Sequence, residues 1–273
     1  MHHQEFEPPE ELRNSIQNFW HTSINFNEVP ATGLEVLPDG YTEIIFLFGN
    51  PCSIAQEGGL QPLPSPFLMG LLGKPVLLHG TGQLEVLGVK CFPWTVFDLL
   101  RLPPGTDALR LFKHPIAGLQ PVLAKHVEAG QIVEALGQLK QHFINDRTNI
   151  ATDNTLFKAG TAMSKANGTM PVSRVAEAAH ATVRTLERKF KQAAGYTVKD
   201  VSGLMRFEQV RNHLWFHPDV SLAGLAQGLG YSDQAHLSKE FKRYSGTTPA
   251  AFARKAKDRK WTISQNFVAF VQD

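Results

Sequence analysis

Two short stretches of the chain gather side chains that can bind a polyanion. Arg184, Arg188, Lys189 and Lys191 fall in the first; Gln234, His236, Lys239, Lys242 and Arg243 fall in the second. Guanidinium and ammonium groups donate to phosphate oxygens and to the acceptor edge of guanine, and a carboxamide pairs with adenine. The two stretches are copies within an internal repeat. Val175-Ala176, Ala179, His180, Thr182, Leu186, Phe190 and Lys191 recur as Leu225-Ala226, Leu229, Gly230, Ser232, Leu237, Phe241 and Lys242, at an offset of 50 that becomes 51. Each copy reads as a short apolar helix, a turn and a second helix. Thr182 or Ser232 opens that second helix with a hydroxyl suited to its orphan N–H groups. In the second copy Ala226 lets the helices approach closely, and Gly230 permits a left-handed turn. The first copy carries His180 in the glycine's place. An ordinary helical bundle accounts equally well for Leu186, Phe190, Leu237 and Phe241 as core. It leaves the basic side chains on the other faces unexplained, whereas paired DNA-reading units account for them.

Other chemistry has little to stand on. No two of His21, His79, His114, His126 and His142 stand two or four residues apart beside a carboxylate, as a metal site on one strand or helix requires. His2-His3 sits at a terminus and is read as incidental. Neither a Gly-rich phosphate loop, a GxSxG elbow nor a Cys/His nucleophile pair is present. No metal, cofactor or catalytic residue is therefore expected. Cys52 and Cys91 are too few for a disulfide framework, which suits a reducing cytoplasm.

The elements around these residues fall into two halves. Residues 1–149 carry 9 Lys+Arg against 15 Asp+Glu, a net of −6, and residues 150–273 carry 18 against 10, a net of +8. A basic half joined to an acidic one suits a polyanion-binding domain attached to a domain with another task. From 20 to 93 short apolar or alternating runs broken by Gly and Pro predict strands. The Pro38-Asp39-Gly40 turn leads into a strand over 42–48, with Pro presetting φ and Gly tolerating a positive one. Beyond Pro115, Leu119, Val122, Leu123, Val127, Ile132, Val133, Leu136 and Leu139 fall at helical spacing, giving two helices broken near Gly130. A polar stretch over 145–154 marks a domain boundary, and helices follow. The helix from about 197 to 216 joins the two repeated units. Val201, Leu204, Phe207, Val210 and Leu214 run down it, and its span of about 30 Å is close to the pitch of B-DNA. No secretory leader is visible at the N-terminus, and no apolar run approaches the length of a membrane span.

The stretch from about 170 to 254 resembles the DNA-binding domain of AraC/XylS-type regulators. LAQGLGYSDQAHLSKEFKRYSGTTPAAF is the most specific part of the match, with Arg206-Phe207, Arg211, Gly246 and Pro249 following the same pattern. His180, Val198 and Leu237 stand where that family more often has Gly, Pro and Phe. The resemblance implies that the second helix of each unit enters a major groove, with Arg184, Glu187 and Arg188 facing bases in one and Gln234, Ala235 and Lys239 in the other. His236, Lys242 and Arg243 complete the expected DNA-facing set. Less specifically, Trp20 and LPDG at 37–40 resemble the sensor-like domains, a β-barrel followed by helices, that precede this module in some bacterial regulators.

The expectation is an α+β chain. A small β-barrel or sandwich with trailing helices occupies 1–145 as a sensor or dimerisation domain, and 146–156 is a linker. An all-α domain of two helix-turn-helix units joined by a helix occupies 157–260, and an apolar tail over 261–273 packs back on some surface. The expected function is that of a cytoplasmic, sequence-specific transcription factor. Its partners are double-stranded DNA, RNA polymerase, a small-molecule effector and a second copy of the chain. The alternatives are a cupin-like metal enzyme or a pure dimerisation module fused to the DNA-binding part.

Overall fold

The computed structural model describes residues 1–29, 33–146, 154–257 and 269–271. Eleven strands are among them: β1 (His2–Phe6), β2 (Ile16–Asn25), β3 (Leu34–Val36), β4 (Thr42–Gly49), β5 (Cys52–Gln56), β6 (Gly59–Pro62), β7 (Phe67–Met69), β8 (Val76–Gly80), β9 (Gln83–Cys91), β10 (Leu109–Arg110) and β11 (Ala269–Val271). They form two sheets, in the orders β1-β2-β9-β4-β7-β10 and β11-β3-β8-β5-β6. Every described pairing is antiparallel. The sheets keep separate edges, so the architecture is two-layered and not a closed barrel. The strands also begin earlier than expected. His3, read as incidental, pairs with Thr22 across β1 and β2, and its Nδ1 lies 2.6 Å from the Thr22 hydroxyl.

The long β4–β9 pairing sets Ile44 opposite Val89 and Phe46 opposite Leu87. Both pairs are buried. Between the two sheets lie Trp20, Ile24, Ile45, Phe67, Leu84 and Val86. Gly88 faces Trp20 across β2 and β9, and a Cβ there would come within 1.9 Å of the indole, so the glycine makes room for the ring. On its other face the larger sheet is covered by α2 (Gln120–Glu128) and α3 (Ile132–Asp146), which follow the short helix α1 (Val96–Leu99). Leu123, Leu139 and Phe143 pack there with Phe19 and Phe46. Gly130, at φ +70, turns the chain between the two helices, as its position suggested.

The C-terminal helices are α4 (Asn154–Lys165), α5 (Val172–Ala178), α6 (Val183–Ala194), α7 (Val198–Phe216), α8 (Leu222–Gly228), α9 (Gln234–Ser245) and α10 (Pro249–Lys257). The repeat is α5–turn–α6 and α8–turn–α9. The two turns close alike, with Ala181 N–H donating to Ala176 C=O at 2.9 Å and Tyr231 N–H to Ala226 C=O at 3.0 Å. Gly230 sits at φ +71 and His180 at φ +51, so the histidine is held in the left-handed conformation that its counterpart adopts freely. His180 is exposed. His180→Gly should therefore raise stability by roughly 0.5 kcal/mol, because relief of the left-handed strain outweighs the extra freedom of an unfolded glycine. A thermal or urea midpoint moving the other way would show that the imidazole makes a contact worth more than the strain.

Thr182 caps α6, accepting from Thr185 N–H at 3.1 Å. At α9 the cap is Asp233, not Ser232, and its carboxylate accepts from His236 N–H at 2.8 Å. The carboxylate meets both the orphan amides and the positive end of the helix dipole, an advantage the neighbouring hydroxyl lacks. That hydrogen bonding holds the Asp233 carboxyl below its usual range.

The joining helix α7 opens with a reciprocal capping box between Thr197 and Asp200. Gly203 does not interrupt it. A Cβ there would meet the Tyr244 hydroxyl at 3.0 Å, so the glycine admits α9. The expected apolar stripe is buried, but so are Ser202, Met205, Glu208, Arg211 and Trp215, and α7 is enclosed on nearly every side. One of the enclosing surfaces belongs to the N-terminal half. Leu37, Leu71 and Trp94 form one apolar cluster with Phe190, Leu204, Phe207 and Phe241. The Trp94 ring lies 5.5 Å from that of Phe190 on α6. Tyr196 O–H donates to the carbonyls of Leu71 and Thr106. The interval between α3 and α4, residues 147–153, holds most of the expected linker and lies outside the described residues. So does the tail apart from β11, which pairs with β3 of the N-terminal half.

Candidate nucleic-acid interface

α6 and α9 are the second helices of the two units, and each has an apolar face that fixes its orientation. Leu186, Phe190 and Ala194 bury one side of α6; Leu237, Phe241 and Tyr244 bury one side of α9. The opposite sides then face outward by helical geometry. Arg184, Arg188 and Lys191 are exposed on α6, and Gln234, Ala235, His236, Lys239, Lys242 and Arg243 are exposed on α9. Val183 adds an exposed apolar side chain at the start of α6.

Glu187 differs from its neighbours. Its carboxylate accepts from Val198 N–H at 3.2 Å, so it ties α6 to the first turn of α7. Of the three positions on α6 implied as base-facing, this one is engaged inside the domain. On α9 the His236 ring stands edge-on to Tyr231 at 5.2 Å, with its Nδ1 3.3 Å from the Ser232 hydroxyl. The Arg243 guanidinium lies over the Tyr244 ring, 5.1 Å from its centroid. Lys239 and Lys242 project from the turns between them.

α9 is also fastened from below. Arg206 of α7 grips the Glu240 carboxylate with one nitrogen, at 3.0 and 3.2 Å, and donates from the other to Gly168 C=O at 3.0 Å. Tyr231 O–H donates to the same carboxylate at 2.8 Å. Burial alone would lower the Arg206 pKa, but Glu240 beside it raises it and keeps the guanidinium charged. Burial and Glu240 together push the Tyr231 hydroxyl up, so it stays a donor. Gly168 precedes the first unit and Glu240 lies in the second, so one guanidinium links the segment leading into the first unit to α9. Glu240 is not among the residues expected from the sequence to matter here. The signal was there: it is the one carboxylate on an otherwise basic helix, which is out of place on a surface built for phosphates.

No group of three or more His, Cys, Asp or Glu side chains arranged to hold a metal occurs among the described residues. No described helix is long and apolar enough to cross a membrane.

Two family models match the chain. Residues 175–255 match the family described as "Helix-turn-helix domain", and residues 4–107 match one described as "Domain of unknown function (DUF6597)". No curated protein matches. Among solved structures, the C-terminal domain of AraT, a response regulator from Geobacillus stearothermophilus, is 21% identical, with 42% of this chain and 95% of that one covered at a TM-score of 0.37. The DNA-binding domain of AdpA, solved with a target DNA, is 23% identical, covering 40% of this chain and 97% of that one at a TM-score of 0.36. Unsaturated fatty acid bound ToxT from Vibrio cholerae is 9% identical, covering 86% of this chain and 94% of that one at a TM-score of 0.47. With its duplicated two-helix units, their outward basic helices and the matched family model, the segment 175–255 is a helix-turn-helix domain.

Proposed function

We propose that the protein is a transcription regulator whose two units read successive major grooves of one DNA duplex under the control of its N-terminal domain. The observation that carries this is the pair of α6 and α9. Both turn their apolar faces into the cluster that encloses the joining helix and their basic faces outward. Arg184, Arg188, Gln234 and Lys239 are the base readers in this reading, with Ala235 and His236 beside them, and Lys242 and Arg243 bind phosphate. Glu187 serves as an anchor. The N-terminal domain receives a small-molecule effector and performs no catalysis. RNA polymerase, a second copy of the chain and the cytoplasm complete the setting.

Binding of the full chain to DNA selected from a random pool should be strongly salt-dependent. If about six phosphates are neutralised, log K falls with log salt at a slope near −5. Arg184→Ala or Lys239→Ala should cost about 1–3 kcal/mol and relax preference at one or two base pairs, while Lys242→Ala weakens all sequences alike. A flat salt response, or no selected sequence at all, would remove the DNA-reading function. A change of preference with Lys242→Ala alone would reverse the assignment of readers and phosphate contacts.

A further inference from the structure

The turn at Pro38-Asp39-Gly40 does more than reverse the chain ahead of β4. It lands on the joining helix. Arg211 Nη1 donates to Pro38 C=O at 3.0 Å. The Glu208 carboxylate accepts from the Gly40 backbone. A Cβ on Gly40 would stand 3.0 Å from Met205 Cγ. Gly40 is not among the residues with positive φ, so its glycine is needed for this close approach and not for turn geometry. Met205, Glu208 and Arg211 recur every three residues and so share one face of α7. The turn has seated itself along that face.

The same turn is tied into the sheet behind it. The Asp39 carboxylate lies 2.9 Å from Lys90 Nζ on β9 and accepts from Tyr41 N–H at 3.0 Å. Lys90 is also 3.7 Å from Glu43 on β4 and lies over the Tyr41 ring. Arg211 in turn lies 3.6 Å from Glu208. Three carboxylates thus face two cations at a covered junction between sheet and helix. Burial pushes the Glu43 carboxyl up to about 7, against the pull of Lys90. Burial and Asp39 raise that of Glu208 as well. An apolar junction of the same size would be at least as stable as one built from buried ions. What the ions add is dependence of the helix's seat on the arrangement of the sheet.

We propose that this turn is the element through which the N-terminal sheet sets the pose of α7, and with it the half-site spacing that the two units accept, with Asp39 and Lys90 as positioning residues for DNA binding. The proposal rests on the two-groove reading above. It places the control of spacing in residues that touch no DNA.

The test uses the full chain and duplexes bearing its selected half-sites at the selected spacing or one base pair further apart. Gly40→Val drives a branched side chain into Met205 and lifts the turn. It should reduce the discrimination between the two duplexes about tenfold, within the usual range of coupling between sites. Adding Met205→Ala to that variant empties the space and should restore most of the discrimination. Asp39→Asn, which still accepts from Tyr41 N–H but withholds its charge from Lys90, should shift discrimination in the same direction without steric insult. Thermal unfolding is followed in parallel. Discrimination within twofold of the parent in both Gly40→Val and Asp39→Asn would overturn the proposal, as would failure of Met205→Ala to rescue. Failure of the parent itself to select paired half-sites would instead sink the two-groove reading on which it rests.

Discussion

Moving the two half-sites apart by five base pairs should weaken binding of the full chain by roughly 10²–10³-fold, the usual gain from engaging two linked sites at once. Half a helical turn carries the second site to the far side of the duplex. Insertion of a whole turn, about ten base pairs, restores the face but not the distance, and binding should stay within tenfold of the half-turn value. The reason is the rigidity of α7. Its 19 residues span about 28 Å at 1.5 Å each, its first turn is locked by the Thr197–Asp200 box, and its one glycine is packed against Tyr244. α9 cannot swing on it freely, because the Phe207 ring lies 5.1 Å from that of Phe241 and 5.3 Å from that of Tyr244. α6 is held by Glu187 at the other end. Equilibrium titrations on the three duplexes in one buffer decide it. Recovery to near the parent affinity at the full-turn insertion would mean that the units move independently, and the rigid reading would be wrong.

Arg206→Ala should be the most destabilising change of a charged residue in this helical domain, at about 3 kcal/mol, the lower end of what breaking a buried ion pair costs. It strips the mostly buried Glu240 carboxylate of its charged partner and leaves Gly168 C=O without its donor. For a chain of this size the thermal midpoint should fall by roughly 5–10 °C. Arg206→Lys should recover only part of the loss, since one ammonium cannot grip Glu240 while reaching across to Gly168. Glu240→Gln should cost less than Arg206→Ala, because a carboxamide still accepts from both Arg206 and Tyr231. If Arg206→Ala shifts stability by less than 1 kcal/mol, the guanidinium is not what fastens α9 to the segment before α5, and packing at Phe207 must hold α9 in place.

Much of the DNA-binding half was legible in the chain. Helical spacing located Leu186, Phe190, Leu237 and Phe241 as core, the duplication marked both units, and the exposed basic residues then followed from which side of each helix was left. These inferences needed only local periodicity, and a helix's period is set by its own backbone. The same logic placed Gly130 between α2 and α3 and Thr182 at the start of α6. It failed where two short polar residues stood side by side. Ser232 and Asp233 are both able to cap, and the structure selects the carboxylate.

Sheet closure was not legible, because strand runs reveal their length and faces but not which edges meet. β1 was missed for a related reason: five residues at a terminus acquire strand character only from pairing with β2. Glu187 and Glu240 look like surface charges in a helical sequence, and only the neighbouring helix shows that one caps α7 and the other anchors Arg206. The clearest division lies on α7 itself. Helical spacing alone predicts a long joining helix with an apolar stripe from Val201 to Leu214. Glu208 and Arg211, which period alone would assign to solvent, are buried in the folded chain against Pro38 and Gly40 from more than 160 residues earlier. Local periodicity dictates which side of a helix is apolar, but a charge is buried only when another part of the fold supplies its partner, and that pairing is a long-range fact.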